Sequence, residues 1–430
     1  MINLIEYGQE SLIEKQYLDD EDRMYLSRLQ YEDIEKGECR YCLREDYNGI
    51  YLKPLNYIGT IQLSRQRINI YPRFDHDFSR LIQLILFTKD VKYKSFKQNL
   101  STSKAKEDLY EIIISLLLEE VFNIVKSNFF REYVGFNENL KVIRGRVDFK
   151  NQLTKNFLRG DSIFCNYEEL NANVLENQII LKALNMAASI TSDNDKRKQI
   201  KKYASLFKEL CEEFRGQKVP EISYNRLNSE YKEAHYYSKL LIESIGTGDL
   251  YKAGEHNSRY SLLIDMNELF EGFVATLAAK YLMSSYEIKP QFVVRNAILN
   301  NKNGTYRRIK PDIILRSKKD EVVIVVDTKN KSYGYNNVSN EDIYQLTFYG
   351  LYFYNMFKSK ANIFIIYPQY ENKNDIFKKI FINTHEGSID KPCINVRALN
   401  INDYLDLISQ DIKNRDIIKE KLLKLFDQNS

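Results

Sequence analysis

Tryptophan is absent from the 430 residues, cysteine occurs five times and histidine four times. A sparse, odd cysteine count argues against a disulfide framework, so reduced thiols are expected. Cys39 and Cys42 have CxxC spacing, but a structural zinc site takes four ligands and no second CxxC or paired histidine accompanies them. They read as two ordinary thiols, with any metal or redox role left open. His76, His235, His256 and His385 are scattered, with no partner at helical or strand spacing. No GxxxxGK[ST] loop occurs, so the chain cannot cradle a nucleoside triphosphate in the P-loop manner, and any motor must be another protein. The longest apolar runs, 322–326 and 363–367, fall far short of the ~20 residues that span a bilayer. The first residues, Met1-Ile2-Asn3-Leu4-Ile5-Glu6, have neither a basic segment nor a small-residue cleavage site. A cytoplasmic protein without membrane contact is the expectation, and no repeat or low-complexity stretch is evident.

What is there is a globular composition: 43% hydrophobic and 28% charged residues, with 32 Tyr and 23 Phe carrying the aromatic surface. The length favours two or three domains. Basic and acidic residues nearly balance, 63 against 59, so contact with nucleic acid must come from a local patch. Arg307, Arg308, Lys310, Arg316, Lys318 and Lys319 form one in sequence, whereas residues 19–22 are acidic.

Short alternating segments at 51–54, 58–63 and 68–72, separated by turn residues, make residues 1–95 β-rich, a small sheet or barrel. Apolar residues then recur at three- and four-residue spacing over 104–128, and further helical runs cover 174–190 and 197–214, so 96–245 reads as mainly helical. A breaker at 245–248 precedes an α/β pattern over 246–430. Helices are expected at 267–283 and 340–357 and strands at 291–298, 312–315, 322–327 and 362–367. Residues 322–326 are apolar at every position, the mark of a central strand covered on both faces. The fold class is therefore α+β and multidomain, ending in an α/β domain with a mixed sheet.

Alternation along a strand puts Asp327 and Lys329 on one side and Thr328 on the other. Residues 316–321 are short enough for a hairpin loop, which would bring Asp312 beside Asp327. Two carboxylates and an ammonium then converge at the end of a buried strand. Magnesium favours one or two carboxylates plus waters and phosphate oxygens, and Asp312, Asp327 and the Thr328 carbonyl could supply the protein's share. In phosphodiester hydrolysis the metal lowers the pKa of a bound water, while a cation such as Lys329 stabilises the transition state. Surface salt bridges give the same spacing, so from the residues alone both readings stand.

Pro311-Asp312, then Asp327-Thr328-Lys329 on an apolar strand, then Gln345-Leu346-Thr347-Phe348-Tyr349, resembles the PD-(D/E)xK nuclease superfamily. Residues 263–271, Arg144-Gly145-Arg146 and Cys165-Asn166-Tyr167-Glu168-Glu169-Leu170 resemble the McrC family, the nuclease subunits of McrBC-type restriction systems. The likeness runs over about 50–370. It implies a Mg²⁺-dependent endonuclease of double-stranded DNA, with Mn²⁺ able to substitute, whose metal centre adds Glu271 and whose active site is lined by Gln345 and Tyr349. Glu271 could equally be a solvated residue beside a core face, and Gln345 and Tyr349 a packing pair. The resemblance further implies a McrB-like AAA+ GTPase hexamer as partner, stimulated through residues 1–95, with Tyr31 and Tyr41 exposed there. Arg144 and Arg146 would contact DNA or that partner, or form a solvated turn around Gly145. DNA contact is expected at Arg307, Arg308, Lys310, Lys318 and Lys319. The rivals are a non-catalytic activator subunit and a stand-alone repair nuclease.

Overall fold

The structure, a computed structural model, describes residues 1–31, 39–74, 78–89, 109–157, 160–245, 259–301, 304–331, 333, 337–357, 361–370, 377–382, 393–410 and 414–427. The breaker at 246–248 and three of the histidines, His76, His256 and His385, lie outside these. In chain order the elements begin β1 (Ile2–Ile5), β2 (Ser11–Glu14), α1 (Asp20–Tyr31), β3 (Tyr41–Asp46), β4 (Gly49–Pro54), β5 (Tyr57–Gln62), β6 (Arg67–Tyr71) and α2 (Ser79–Thr88). There follow α3 (Leu109–Ser127), β7 (Glu132–Leu140), β8 (Arg146–Val147), α4 (Phe149–Lys155), β9 (Ile163–Asn171), α5 (Leu175–Ile190), α6 (Asn194–Lys208) and α7 (Lys232–Ile245). The last part holds β10 (Tyr260–Asp265), α8 (Met266–Leu282), β11 (Tyr286–Pro290), β12 (Val294–Leu299), β13 (Thr305–Ile309), β14 (Ile313–Ser317), β15 (Val323–Thr328), α9 (Asn340–Phe357), β16 (Ala361–Gln369), β17 (Phe377–Phe381), β18 (Cys393–Asn400), α10 (Ile401–Ser409) and α11 (Arg415–Leu425).

Two compact units result. One comprises Met1–Gly59, Ile68–Lys106 and Leu263–Ser430, the other Thr60–Arg67 and Glu107–Leu262. This partition differs from the three consecutive regions expected at 1–95, 96–245 and 246–430. The physical reason is packing at long sequence separation. Phe87 at the end of α2 meets Phe273 of α8 edge-on at 5.5 Å, and Thr276 donates to the Thr88 carbonyl. Gly272 allows this approach, since a Cβ there would stand 2.8 Å from Thr88 Cγ2. Arg80 pairs with Asp406 at 2.6 Å.

In the first unit a six-stranded mixed sheet runs β11-β14-β15-β16-β18-β17. Every residue of β15 is buried, as its run of β-branched residues demands of a strand covered on both faces. It pairs antiparallel with β14 and parallel with β16. The parallel step needs a crossover, and α9 supplies it. Leu346, Tyr349 and Phe353 of that helix close over Val323, Val325, Ile363 and Ile365. The strand expected at 291–298 starts at Val294 as β12, because Gln291 takes a left-handed φ of 49°, which turns the chain between β11 and β12. The N-terminal residues add a three-stranded sheet, β2-β4-β3, and a parallel pairing of β1 with β6, together with α1 and α2. Tyr41, expected to be exposed, is fully buried and donates to the Leu26 carbonyl at 2.8 Å. The Tyr31 side chain lies outside the described part.

The second unit is helical as expected, and buried polar contacts fix its helices. Asn177 donates to the carbonyls of Phe130 and Ala172 and accepts from Tyr231. Glu111 accepts from Thr191 and Ser192. It also holds a sheet, β7-β9-β8, that hydrophobic periodicity did not announce. β7 and β9 pair over nine residues from Glu132↔Asn171 to Leu140↔Ile163, and their one apolar face, Val134, Phe136 and Leu140 with Ile163, Cys165 and Tyr167, is interrupted by Glu138 and Glu169, which breaks the alternation that marks a strand.

Candidate active site

The β14–β15 hairpin has the register Ile313↔Val326, so Asp312, one residue before β14, comes beside Asp327 near the end of β15. Asp312 Oδ2 accepts from both the backbone N (2.6 Å) and Oγ1 (2.7 Å) of Thr328. Lys329 Nζ pairs with Asp327 Oδ2 at 2.8 Å and with Asp342 Oδ1 at 3.5 Å, and it donates to Gln345 Oε1 at 3.4 Å. Gln345 Nε2 in turn donates to the Tyr349 hydroxyl at 2.8 Å. Asp312, Asp327, Thr328, Lys329, Gln345 and Tyr349 therefore meet at the end of a central strand. Thr328 enters as a double donor to Asp312.

Burial sets the electrostatics. Asp327 is 2% exposed, and desolvation, reinforced by the charge of Asp312, raises its pKa to about 7 against the pull of Lys329. Asp312 is also raised by burial, opposed by the Thr328 hydrogen bonds and the Lys329 charge. Burial alone would lower Lys329, but the carboxylates of Asp327, Asp342 and Asp312 outweigh it and hold the ammonium charged. Asp342 is a member that the sequence motifs do not name. Burial would raise it, yet hydrogen bonds from Lys331, Ser339 and Tyr333 and the nearby Lys329 bring it down to about 2. It falls on the helical face of Gln345 and Tyr349, at i, i+3 and i+7, a spacing that could have revealed it.

Glu271 sits in α8, whose N-terminus is capped by Asp265 accepting from Asn267 N. It accepts from Gln291 Nε2 at 2.9 Å, and Gln291 N donates to the Asp312 carbonyl, which ties Glu271 to the centre indirectly. Its pKa is raised by burial and by the Asp312 charge. Among the described residues no three Asp, Glu, His or Cys side chains stand close enough to hold a metal ion. The expected set of Asp312, Asp327 and Glu271 is thus not assembled as three ligands. Two carboxylates remain, both with raised pKa values and both thus favouring a cation nearby, and Asp312 keeps Oδ1 outside its Thr328 bonds. That donor set fits a hard divalent cation completed by water.

The centre opens into a cleft of about 560 Å³ to which Glu271, Asp312 and Lys329 contribute together with Tyr7, Arg40 and Tyr57. No sequence signal links these last three to the site, because local patterns carry no information on contacts hundreds of residues apart. The basic patch does not gather as one group. Lys310 precedes Asp312 and acts electrostatically on it and on Glu271. Arg307 and Arg308 are exposed on β13. Lys318 and Lys319 follow the far end of β14, roughly 17 Å along a five-residue strand from Asp312. In the other unit, Gly145 has φ 66°, and a Cβ there would stand 2.5 Å from the Asn166 carbonyl oxygen, so the Arg144-Gly145-Arg146 turn needs its glycine. Arg144 pairs with Glu169 at 3.1 Å and lies over the Tyr167 ring at 4.6 Å, while Arg146 of β8 stands opposite Asn166 of β9 in the strand register. Cys39 and Cys42 are free thiols. His235 is a buried structural residue beside Tyr224 and the Glu176 carbonyl.

Fold and site together define a multidomain mixed α/β protein with a buried carboxylate–lysine centre at the end of a central strand. The chain belongs to the family described as McrBC 5-methylcytosine restriction system component, whose model it matches over residues 52–368. It is similar in fold to a chain of the half-complex from a tetradecameric assembly of Thermococcus gammatolerans McrB AAA+ hexamers with bound McrC. The TM-score is 0.63 at 16% identity, over 96% of this chain and 100% of that one. A chain of the cryo-EM structure of the Thermococcus gammatolerans McrBC complex is similar with a TM-score of 0.50 at 17% identity, over 65% of this chain and 88% of the other. No curated protein matches the sequence. Among the described residues no helix is long and apolar enough to cross a membrane.

Proposed function

We propose that this chain is the McrC-like subunit of a restriction complex and a metal-dependent endonuclease of double-stranded DNA, its centre of the PD-(D/E)xK type. The observation that carries the reading is the connected set Asp312–Thr328 and Asp327–Lys329–Gln345–Tyr349 at the end of β15, facing a cleft. Asp312 and Asp327 would hold Mg²⁺, or Mn²⁺ in its place, with Thr328 and Glu271 nearby, and the ion would supply Lewis acidity toward the scissile phosphate and an activated water. Lys329, kept charged by its carboxylate neighbours, stabilises the negative charge that grows on the phosphate. Gln345 orients that ammonium and is itself fixed by Tyr349. Lys310, Arg307 and Arg308 supply DNA contacts next to the centre, and Lys318 and Lys319 further along the backbone. An activator without chemistry would gain nothing from a buried and a half-buried carboxylate kept beside a half-buried lysine, since such charges are costly to take out of water.

The partner in this reading is a McrB-like AAA+ GTPase hexamer, and its docking element is the exposed β7–β9 region rather than residues 1–95. Tyr133, Val142, Ile143, Phe149, Leu153 and Phe157 are large apolar side chains between 59% and 76% exposed within that short stretch, a density that marks an interaction surface. Arg144 and Arg146 lie on the same hairpin and face the partner in this reading.

The test is cleavage of plasmid DNA, with and without cytosine methylation, by the chain mixed with its AAA+ partner, GTP and Mg²⁺. Asp312→Ala, Asp327→Ala and Lys329→Ala should each abolish cutting while leaving the fold and partner assembly intact. Chelation of the metal should do the same to the wild-type chain. Near-normal cutting by any two of the three variants would overturn the assignment.

A further inference from the structure

Lys329 leaves β15 into a short segment, 329–331, that is pinned on the sheet side. Lys329 N donates to the Ile366 carbonyl and Lys331 N to the Lys329 carbonyl. Lys331 Nζ reaches Asp342 Oδ2 at 2.8 Å. Between the two lysines, Asn330 is only 3% exposed and faces another way. Its carbonyl and side-chain oxygens both accept from Arg73, at 3.3 and 3.0 Å, and its side-chain oxygen also accepts from the Tyr370 hydroxyl at 3.0 Å.

Arg73 follows β6 and is itself fully engaged. Its Nε donates to Glu6 Oε1 at 2.8 Å, just past the end of β1, and Glu6 is 1% exposed. Its guanidinium lies over the rings of Tyr7, at 5.0 Å, and Tyr370, at 4.8 Å. Tyr7 holds a left-handed φ of 53°, uncommon for a non-glycine residue, and lines the same cleft as Asp312 and Lys329. A planar guanidinium with donors on separate nitrogens is the side chain that can grip a carboxylate and a carbonyl pair at once while stacked between rings. A lysine ammonium cannot reproduce that geometry.

We infer that Arg73 is a positioning residue of the nuclease centre: through Asn330 it sets the backbone from which Lys329 reaches Asp327. The inference rests on the proposed nuclease reading and extends it to a residue 257 positions away from the one it grips. Arg73 is not among the residues that line the cleft. It acts by removing freedom from residues 329–331, and a loosened segment lets the ammonium drift from the place where transition-state charge develops. Displacements on the order of 1 Å at such a centre cost about 100-fold in rate.

The experiment uses the full chain with its AAA+ partner, GTP, Mg²⁺ and plasmid DNA, and compares wild type, Arg73→Lys, Arg73→Ala, Asn330→Leu, Asn330→Asp and Lys329→Ala. Cleavage rate at saturating DNA, DNA affinity of the assembled complex, stimulated GTP hydrolysis and thermal unfolding are read for each. The expected result is a fall in cleavage rate of at least tenfold for Arg73→Lys and Asn330→Leu, with DNA affinity and GTPase stimulation within twofold of wild type. Asn330→Asp, which keeps the oxygen that Arg73 grips, should retain more activity than Asn330→Leu. Low millimolar guanidinium, far below denaturing concentration, should partly restore Arg73→Ala and leave Lys329→Ala inactive. Wild-type cutting by the Arg73 variants beside an inactive Lys329→Ala would overturn this inference alone. So would activity that falls only in step with the unfolded fraction and is not restored by guanidinium. Equal cutting by wild type and Lys329→Ala would overturn the nuclease assignment, and this inference with it.

Discussion

Asp327 concentrates the electrostatic tension of the centre in one carboxylate. An aspartate in the unfolded chain titrates near 3.8, whereas burial and the charge of Asp312 raise the folded value to about 7. A group whose pKa rises on folding contributes stability below its unfolded pKa and loses it as pH climbs through the folded value. The metal-free chain should therefore become less stable between about pH 4 and pH 7.5, and Asp327→Asn should flatten part of that loss. Glu6, raised by burial to about 7 despite Arg73, contributes a slope of the same sign over the same window, so Glu6→Gln serves as the control. Melting temperatures at pH 6 and pH 8, with and without Mg²⁺, separate the two. Magnesium should restore stability at pH 8 to wild type and to Glu6→Gln but not to Asp327→Asn. A metal-free melting temperature that does not change between the two pH values, or that rises with pH, would contradict a carboxylate raised by burial at position 327.

At the scale of elements, the hairpin β14–β15 and the helix α9 assemble the centre, while the β7–β9 pair belongs to the other unit. The two tasks should therefore separate by mutation. Val142→Ser with Ile143→Ser changes side chains that are 75% and 59% exposed, so folding stability should shift by no more than about 0.5 kcal/mol. The same double substitution should lower stimulation of the partner's GTPase severalfold and weaken assembly. Gel filtration of the mixed proteins and the GTP hydrolysis rate check both. Stimulation equal to wild type would move docking elsewhere on the chain.

The whole molecule bears on residues 1–95, expected from sequence to be a separable docking region. All but 60–67 pack within the compact unit that holds 263–430, through α2 against α8, Arg80 against Asp406, and Arg73 against Asn330. A chain beginning at residue 96 should accordingly lose the fold of the unit that holds 263–430. It strips Phe87 and Thr88 from α8 and the Glu6–Arg73 pair from the active-site segment. Circular dichroism and limited proteolysis of 263–430 within such a chain should report an unfolded or protease-sensitive segment. A protected, cooperatively melting segment would show instead that the C-terminal residues fold without their N-terminal cover.

Much of the centre is legible in the sequence, because the information it needs is local. Five consecutive apolar residues announce a strand buried on both faces, a six-residue loop implies the hairpin that pairs Asp312 with Asp327, and four-residue spacing sets Gln345 and Tyr349 on one helical face. The McrC likeness, carried by 263–271, Arg144-Gly145-Arg146 and 165–170, agrees with the family match over 52–368. The β7–β9 sheet escapes the pattern because its one apolar face is broken by Glu138 and Glu169 and is only half covered. Tyr41 is buried against expectation because a lone tyrosine does not reveal which carbonyl its hydroxyl will find. Only tertiary structure decided that Tyr7, Arg40 and Tyr57 share the cleft, that Arg73 grips Asn330, and that the N-terminal residues belong to the unit of the centre. Periodicity records whether a side chain is to be buried. Which distant surface buries it is decided by the packing of whole elements, and no stretch of sequence shorter than the unit contains that.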